Sequence, residues 1–413
     1  MAEIFVNKNI ELALTHLHKL RFAVLELGLC NATRNVLFSD AVCKFDLVRV
    51  ERPDEESKRD VRSLNVNFSS LFKPGIDFLT ACQNTSNENI AGIDALKKDA
   101  LSLLNSYFLN IDLHEQSLNK VTGKKNKKSD ETDIKHTPPT DTDFTIAVAE
   151  HLLGKLAPGQ SYHIDSRGKE GNRCGCEVQP SYGNTGIGHE EVWHGHADII
   201  FSPHHPENQS IAKCDLSLSS TPGQEEITAV KRPHLHVDEN LEYADRKTNA
   251  EVKRRATWTS EEAIAQTIVF SLLQKQQYPN SPNCVVPSIL ISPDYVQIMI
   301  YDAENDILLC SNFMDLYNVN ADGCLSSEAV VTIWCVLHYR IFCCGLQFEN
   351  NDEANIYKSN FSRLAQEKWH IYSNCLKNSV NEFPVVDSAI KVELWNRKVL
   401  QGTEFCKGMK RRK

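Results

Sequence analysis

Trp193-His194-Gly195-His196-Ala197-Asp198-Ile199-Ile200-Phe201 alternates in character from residue to residue. The odd positions are apolar or small, and the even positions include two imidazoles and a carboxylate. Successive side chains of a strand point to opposite faces. The stretch therefore predicts a strand with one core face and one face presenting His194, His196 and Asp198.

Upstream, residues 143–155 read as a helix, with Phe144, Val148 and Leu152 in one stripe and Ile146, Ala149 and Leu153 beside it. Glu150 borders that apolar face. Downstream, after a long polar insertion over 202–245, residues 247–255 read as a second strand, with Asn249, Glu251, Lys253 and Arg255 sharing one face. A helix follows at once. Thr259 can cap it, Glu262 completes a reciprocal capping box, and Gln266 and Phe270 lie one turn apart.

Asp198 on one strand and Glu251-Val252-Lys253 on the next carry the chemistry. If the strands are neighbours, two carboxylates and an ammonium share a site. Close carboxylates repel unless something positive lies between them. A hard divalent cation meets that need, and Mg²⁺ keeps waters that a substrate can replace. A protonated lysine does not ligate metal, but it can position or deprotonate a water and offset phosphate charge.

The order helix (Glu150), strand (Asp198 in Gly195-His196-Ala197-Asp198), strand (Glu251-x-Lys253), helix (Gln266) resembles the PD-(D/E)XK nuclease superfamily over residues 143–346. The resemblance implies a restriction-endonuclease-like α/β core, with a mixed central sheet flanked by helices. It implies a Mg²⁺- or Mn²⁺-dependent nuclease cleaving DNA or RNA. By the same likeness Glu150, Asp198, Glu251 and the Val252 carbonyl would hold the metal, and Asp198, Glu251, Lys253 and Gln266 would be catalytic. Phe270 stands where the Q-x-x-x-Y element has tyrosine. A nuclease-fold protein that has lost catalysis and binds nucleic acid or protein is the alternative.

Lys247, Arg254 and Arg255, with Arg246 nearby, would attract a phosphodiester backbone without reading sequence, and His196 would touch phosphate or metal. A solvated strand edge is the plainer account of the same charges. His163, Cys174, Cys176, His189, His194, His196, His204, His205, Cys214, His234 and His236 crowd one region, so a structural zinc is a second metal option. The Cys174-x-Cys176 spacing is tighter than the usual zinc pair.

The rest divides by composition. Residues 1–118 read as a helical N-terminal domain, with helices over Ile10–Leu29 and Ile93–Leu113, suited to a protein partner. Residues 119–142 read as a disordered linker, nearly without apolar content and bearing Lys124, Lys125, Lys127 and Lys128. Three short strands (285–291, 295–301, 306–310) and an apolar helix (328–346) close the core. Residues 347–413 form a helical C-terminal extension. Asp322-Gly323 reads as a turn and Ser326 as the cap of the next helix.

The chain has 413 residues and a net charge of -9, which excludes a whole-protein basic footprint for nucleic acid. No apolar run suits a membrane span, since Ala329–Leu346 carries His338 and Arg340. The N-terminal stretch carries Glu3 and no basic-then-apolar secretory pattern, so the 14 cysteines are expected to be reduced and the protein intracellular, in cytoplasm or nucleus.

Overall fold

The computed structural model describes residues 2–53, 59–84, 94–122, 140–167, 179–201, 218–220, 261–281, 284–318 and 323–378. It is a mixed α/β fold. An eight-stranded sheet runs in the order Leu218–Ser220, Val285–Ile291, Tyr295–Asp302, Ile307–Ser311, Arg21–Cys30, Cys43–Leu47. Two short strands, Met314–Asp315 and Asn65–Asn67, pair off this path. Its ladders are antiparallel, except that Leu218–Ser220 runs parallel to Val285–Ile291.

All seven side chains of Val285–Ile291 are buried, because the sheet is covered on both faces. The three strands from 285 to 311 fall within about a residue of expectation. Each is bounded by turn residues, and their apolar side chains pair directly, as Ile289 does with Ile298.

The helix Glu261–Gln277 lies against this sheet, touching Val285–Ile291 and Tyr295–Asp302. On its other side it meets Gly186–Gly188 and Trp193–His196, strands of a small four-stranded sheet, and the helix Trp369–Asn374. Every residue from Ala263 to Gln274 is buried. One hydrophobic cluster runs from Ile10 to Leu376. Ser326 caps Ser327–Leu337 as expected, its side chain accepting from the Ala329 N–H. Described cysteines are free thiols. Among the described residues no helix is long and apolar enough to cross a membrane.

Several expectations need correction. The helix expected over Ile10–Leu29 ends at Leu17, and Arg21–Cys30 is a strand. It pairs with Ile307–Ser311 on one side and with Cys43–Leu47 on the other. Sheet pairing at both edges outweighs the helix preference of its leucines. The first 118 residues are thus no free-standing helical module, since they complete the large sheet. Trp334 also donates its indole N–H to the Ala100 carbonyl at 2.7 Å, tying the helix Ala95–Leu109 to the core.

The expected linker is shorter at both ends. Ile111–Thr122 is helical, and Thr140 caps the next helix in a reciprocal box with Asp143. The lysine run falls outside the described residues. Of the insertion, only Leu218–Ser220 is described, as an edge strand. The apolar helix is broken at His338 into Ser327–Leu337 and Tyr339–Phe342. The C-terminal extension is helical in pieces as far as Asn374, but Phe361 and Tyr372 are buried in the core rather than appended to it. Residues 379–413 lie outside the described part.

Asp306 joins that C-terminal segment to the hairpin of the sheet. Its carboxylate accepts from the Tyr301 hydroxyl at 2.9 Å, from the Ser359 hydroxyl, and from both the N–H and hydroxyl of Ser362. It sits at φ +57°, a conformation aspartate tolerates better than most residues. Asp306→Ala strands four donors, and a loss of about 3–5 kcal/mol in chemical denaturation is expected.

His338 is buried against Trp334 and Phe342, with its Nε2 2.9 Å from the Leu156 carbonyl. Burial holds its imidazole down at about 4, the carbonyl contact opposing. The unfolded chain takes up that proton near pH 6.5 and the folded chain does not. Stability from this group is whole above pH 6.5 and falls toward pH 4, by about 3 kcal/mol at most. His338→Gln should flatten that part of the stability–pH curve, measured by denaturant midpoints between pH 4 and 7.

Candidate functional site

The stretch expected as one strand is two. Trp193–His196 pairs with Gly186–Gly188 and Val36–Leu37, while Ile199–Phe201 pairs with Tyr162–Asp165. Ala197 and Asp198 form the bend between them. Gly195 allows this path. It sits at φ +153°, and a Cβ there would meet the Phe38 ring at 2.7 Å. The face expected to carry His194, His196 and Asp198 together is interrupted before Asp198. His194 is buried, with Nδ1 2.9 Å from the Val192 carbonyl, and burial lowers its pKa. His196 and Asp198 are half-buried around the bend.

Asp165, at the end of its strand, donates its N–H to the Asp198 carbonyl at 3.0 Å. Its carboxylate takes the Arg167 guanidinium at 2.8 Å, through Nε and through Nη2. His196 Nδ1 stands 3.6 Å from Asp165 Oδ1. Sequence reading missed Asp165 and Arg167. The signal available was the alternation in Tyr162-His163-Ile164-Asp165, which predicts a short strand ending in a carboxylate.

Gln266 meets this bend from the helix Glu261–Gln277. Its Nε2 donates to the His196 carbonyl and to Glu262 Oε1, both at 3.3 Å, and the side chain is buried. Glu262 is on the turn before, so the helix brings one amide and one carboxylate to the bend. Phe270, one turn further, is core.

Glu150 belongs to a different environment. It lies in a π-helical turn, Ala149–Leu153, and is 5% exposed. Its Oε1 accepts from the Tyr162 hydroxyl. Burial pushes its carboxyl up from the ordinary value, and Lys155 pulls it partly back. Tyr162 and Ile164 are buried on one face of their strand and Asp165 lies on the other. Glu150 is thus joined to the core face of that strand, opposite Asp165.

Glu251, Val252, Lys253, Lys247, Arg254 and Arg255 lie outside the described residues, as do Thr259 and Arg246. So do Cys174, Cys176, His204, His205, Cys214, His234 and His236. Of the expected groups, the structure brings His196, Asp198 and Gln266 together, and adds Asp165, Arg167 and Glu262. Among the described residues no three His, Cys, Asp or Glu side chains are grouped so as to hold a metal ion. Asp198 and the Tyr162-bound Glu150 do not make a cation site by themselves, and the remaining expected ligands are Glu251 and Val252. The described histidines of the zinc option are dispersed, His163 lying 3.1 Å from the Ser181 hydroxyl and His194 against Val192.

No protein-family model, curated protein or solved structure matches the chain.

Tyr162→Phe removes the hydroxyl that Glu150 accepts. A buried carboxylate without its donor costs about 1–3 kcal/mol. The variant should lose that much stability at pH 7, and the loss should shrink as the pH drops and Glu150 becomes protonated. Denaturant midpoints at pH 7 and pH 5 check both statements.

Proposed function

We propose that this chain is a nuclease of the PD-(D/E)XK type, acting on the phosphodiester backbone of DNA or RNA in cytoplasm or nucleus. The supporting observation is the bond from Gln266 to the His196 carbonyl. The helix that follows Glu251-x-Lys253 in sequence is packed by it against the bend that carries Asp198. The backbone bond between Asp165 and Asp198 holds that bend from the other side.

On this reading the restriction-endonuclease-like core spans 143–346. Lys253 positions or deprotonates the attacking water and offsets charge on the phosphate. Gln266 orients the Asp198 segment through the His196 carbonyl. Lys247, Arg254 and Arg255 hold the backbone through charge, and His196 lies beside the phosphate. A Mg²⁺ or Mn²⁺ ion bound by Asp198, Glu251 and the Val252 carbonyl would supply Lewis-acid stabilisation.

A second reading is a binding module that keeps this fold without cleavage. The bond between Tyr162 and Glu150 favours it, because a carboxylate already held by a hydroxyl is a poor metal ligand. Lys247, Arg254 and Arg255 would then carry the binding alone, with the strong salt dependence of phosphate contacts.

The test is cleavage of single- and double-stranded DNA and of RNA with Mg²⁺ or Mn²⁺. Wild type should cut at least one of them. Asp198→Asn and Lys253→Ala should each lose about a hundredfold or more with an unchanged thermal melt. Equal cleavage in wild type and both variants refutes the nuclease. Retention of nucleic acid without cleavage, weakened in Arg254→Glu, establishes the binding module instead.

A further inference from the structure

Two cysteines flank the neck of a loop. Cys30 ends the strand Arg21–Cys30, Cys43 opens the strand Cys43–Leu47, and the two are direct cross-strand partners. One step outward, the Asn31 N–H donates to the Val42 carbonyl at 3.1 Å. Hydrogen-bonded and non-hydrogen-bonded pairs alternate along an antiparallel ladder. Cys30 and Cys43 therefore form a non-hydrogen-bonded pair. In such pairs the side chains approach most closely, with Cα atoms about 4.5 Å apart. A disulfide accepts Cα separations of about 4.4–6.8 Å.

Facing residues of neighbouring strands share one side of the sheet. Both thiols accordingly act on the same hydroxyl, that of Tyr372. Cys43 is buried and Cys30 half-buried, and both are thiols in this structure.

We infer that Cys30 and Cys43 are a redox pair, closing to a disulfide under sustained exposure to a hydroperoxide. Cys30 is the more open of the two and reacts first. Its sulfur attacks the peroxide O–O bond and takes one oxygen, giving a sulfenic acid and, from hydrogen peroxide, one water. The Cys43 sulfur then displaces that oxygen as a second water, and the S–S bond forms. Two thiols and one peroxide become one disulfide and two waters. Burial holds the Cys30 thiol up at about 11, with a backbone bond at Ala32 opposing. Thiolate is scarce at neutral pH, so closure is slow and a brief pulse leaves the pair reduced.

The loop 31–42 between the two cysteines is a platform. Asn31 Oδ1 accepts from the Val42 N–H at 3.0 Å and from the Trp193 indole at 2.8 Å, and its Nδ2 donates to the Asp40 carbonyl at 3.1 Å. The Ala32 carbonyl takes the Tyr372 hydroxyl, and Val36–Leu37 pairs with Trp193–His194. A covalent neck limits how far this loop can open. Oxidation thus stiffens the support of the strand Trp193–His196, whatever chemistry the bend performs.

The test treats the full chain overnight with hydrogen peroxide at pH 8 and maps its peptides without reductant. A peptide pair joined through Cys30 and Cys43, two hydrogens lighter than the separate thiols, is expected. The unfolding temperature should rise by about 3 °C and return after reduction. Exposed Cys344 and Cys375 also meet the oxidant. Both signals are therefore repeated in Cys30→Ser and in Cys43→Ala, where they should vanish. Cys30→Ser carries the result if Cys43→Ala does not fold. Oxidised wild type whose Cys30 and Cys43 peptides stay unlinked, or a temperature rise retained in folded Cys30→Ser, overturns the inference.

Discussion

The helix Glu261–Gln277 must be buried on all sides and still satisfy its polar groups. Gln266, Ser271 and Gln274 lie within its buried stretch and find partners, while the Thr267 hydroxyl there has none among the described residues. A buried amide without partners costs more than the hydrogen bond it forgoes. Gln266 therefore needs the His196 carbonyl, Gln274 receives Arg340 Nη2 at 3.3 Å, and Ser271 donates to the Thr267 carbonyl at 2.7 Å. The first two bonds fix different neighbours, and Ser271 also donates to the Val286 carbonyl of the large sheet at 3.3 Å. The large sheet supplies apolar cover on one side, while the small sheet and the helix Trp369–Asn374 supply it on the other. What is packed against this helix has its position set by these needs, including the bend at Asp198.

That bend is held from a second direction by an aromatic knot. Trp193 stacks on Phe361 at 5.5 Å, and Tyr372 meets both rings edge-on. The indole N–H donates to Asn31 Oδ1 at 2.8 Å, and the Tyr372 hydroxyl donates to the Ala32 carbonyl and accepts from the Trp193 N–H. The strand Trp193–His196 is thus tied to the end of Arg21–Cys30 and to the C-terminal helices at once. Rings of this size dominate core energetics, and their polar atoms fix register as well as area. The bend keeps its shape because the residues before it cannot slide.

The legible parts of the sequence were those whose structure is local. The hairpin from 285 to 311 follows from buried apolar runs bounded by Ser292-Pro293-Asp294 and Ala303-Glu304-Asn305. The cap at Ser326 and the helix carrying Glu150 follow from side-chain spacing. Arg21–Cys30 was not legible, because its leucines suit a helix and only pairing with Ile307–Ser311 makes it a strand. The break at Ala197–Asp198 was hidden for a related reason. Alternation continues through it, and only the separate partners of the two halves, together with the Phe38 ring over Gly195, turn the chain. Asp165 joins the site by a backbone bond, which side-chain pattern does not encode. Gln266 was legible as a position one turn before Phe270, but its partner was not.

Electrostatics at the bend limits what can complete the site. The described groups include the carboxylates of Asp165, Asp198 and Glu262, the Arg167 guanidinium, and His196 beside Asp165. Arg167 is already engaged by Asp165. Gathered carboxylates favour whatever supplies positive charge between them. The sequence between 246 and 255 holds Arg246, Lys247, Lys253, Arg254 and Arg255 along with Glu251. If those cations neutralise the bend, they are spent on the protein and less remains for a phosphate backbone. If a divalent ion neutralises it, they stay available to substrate. On the nuclease proposal, catalysis and a bound ion therefore go together.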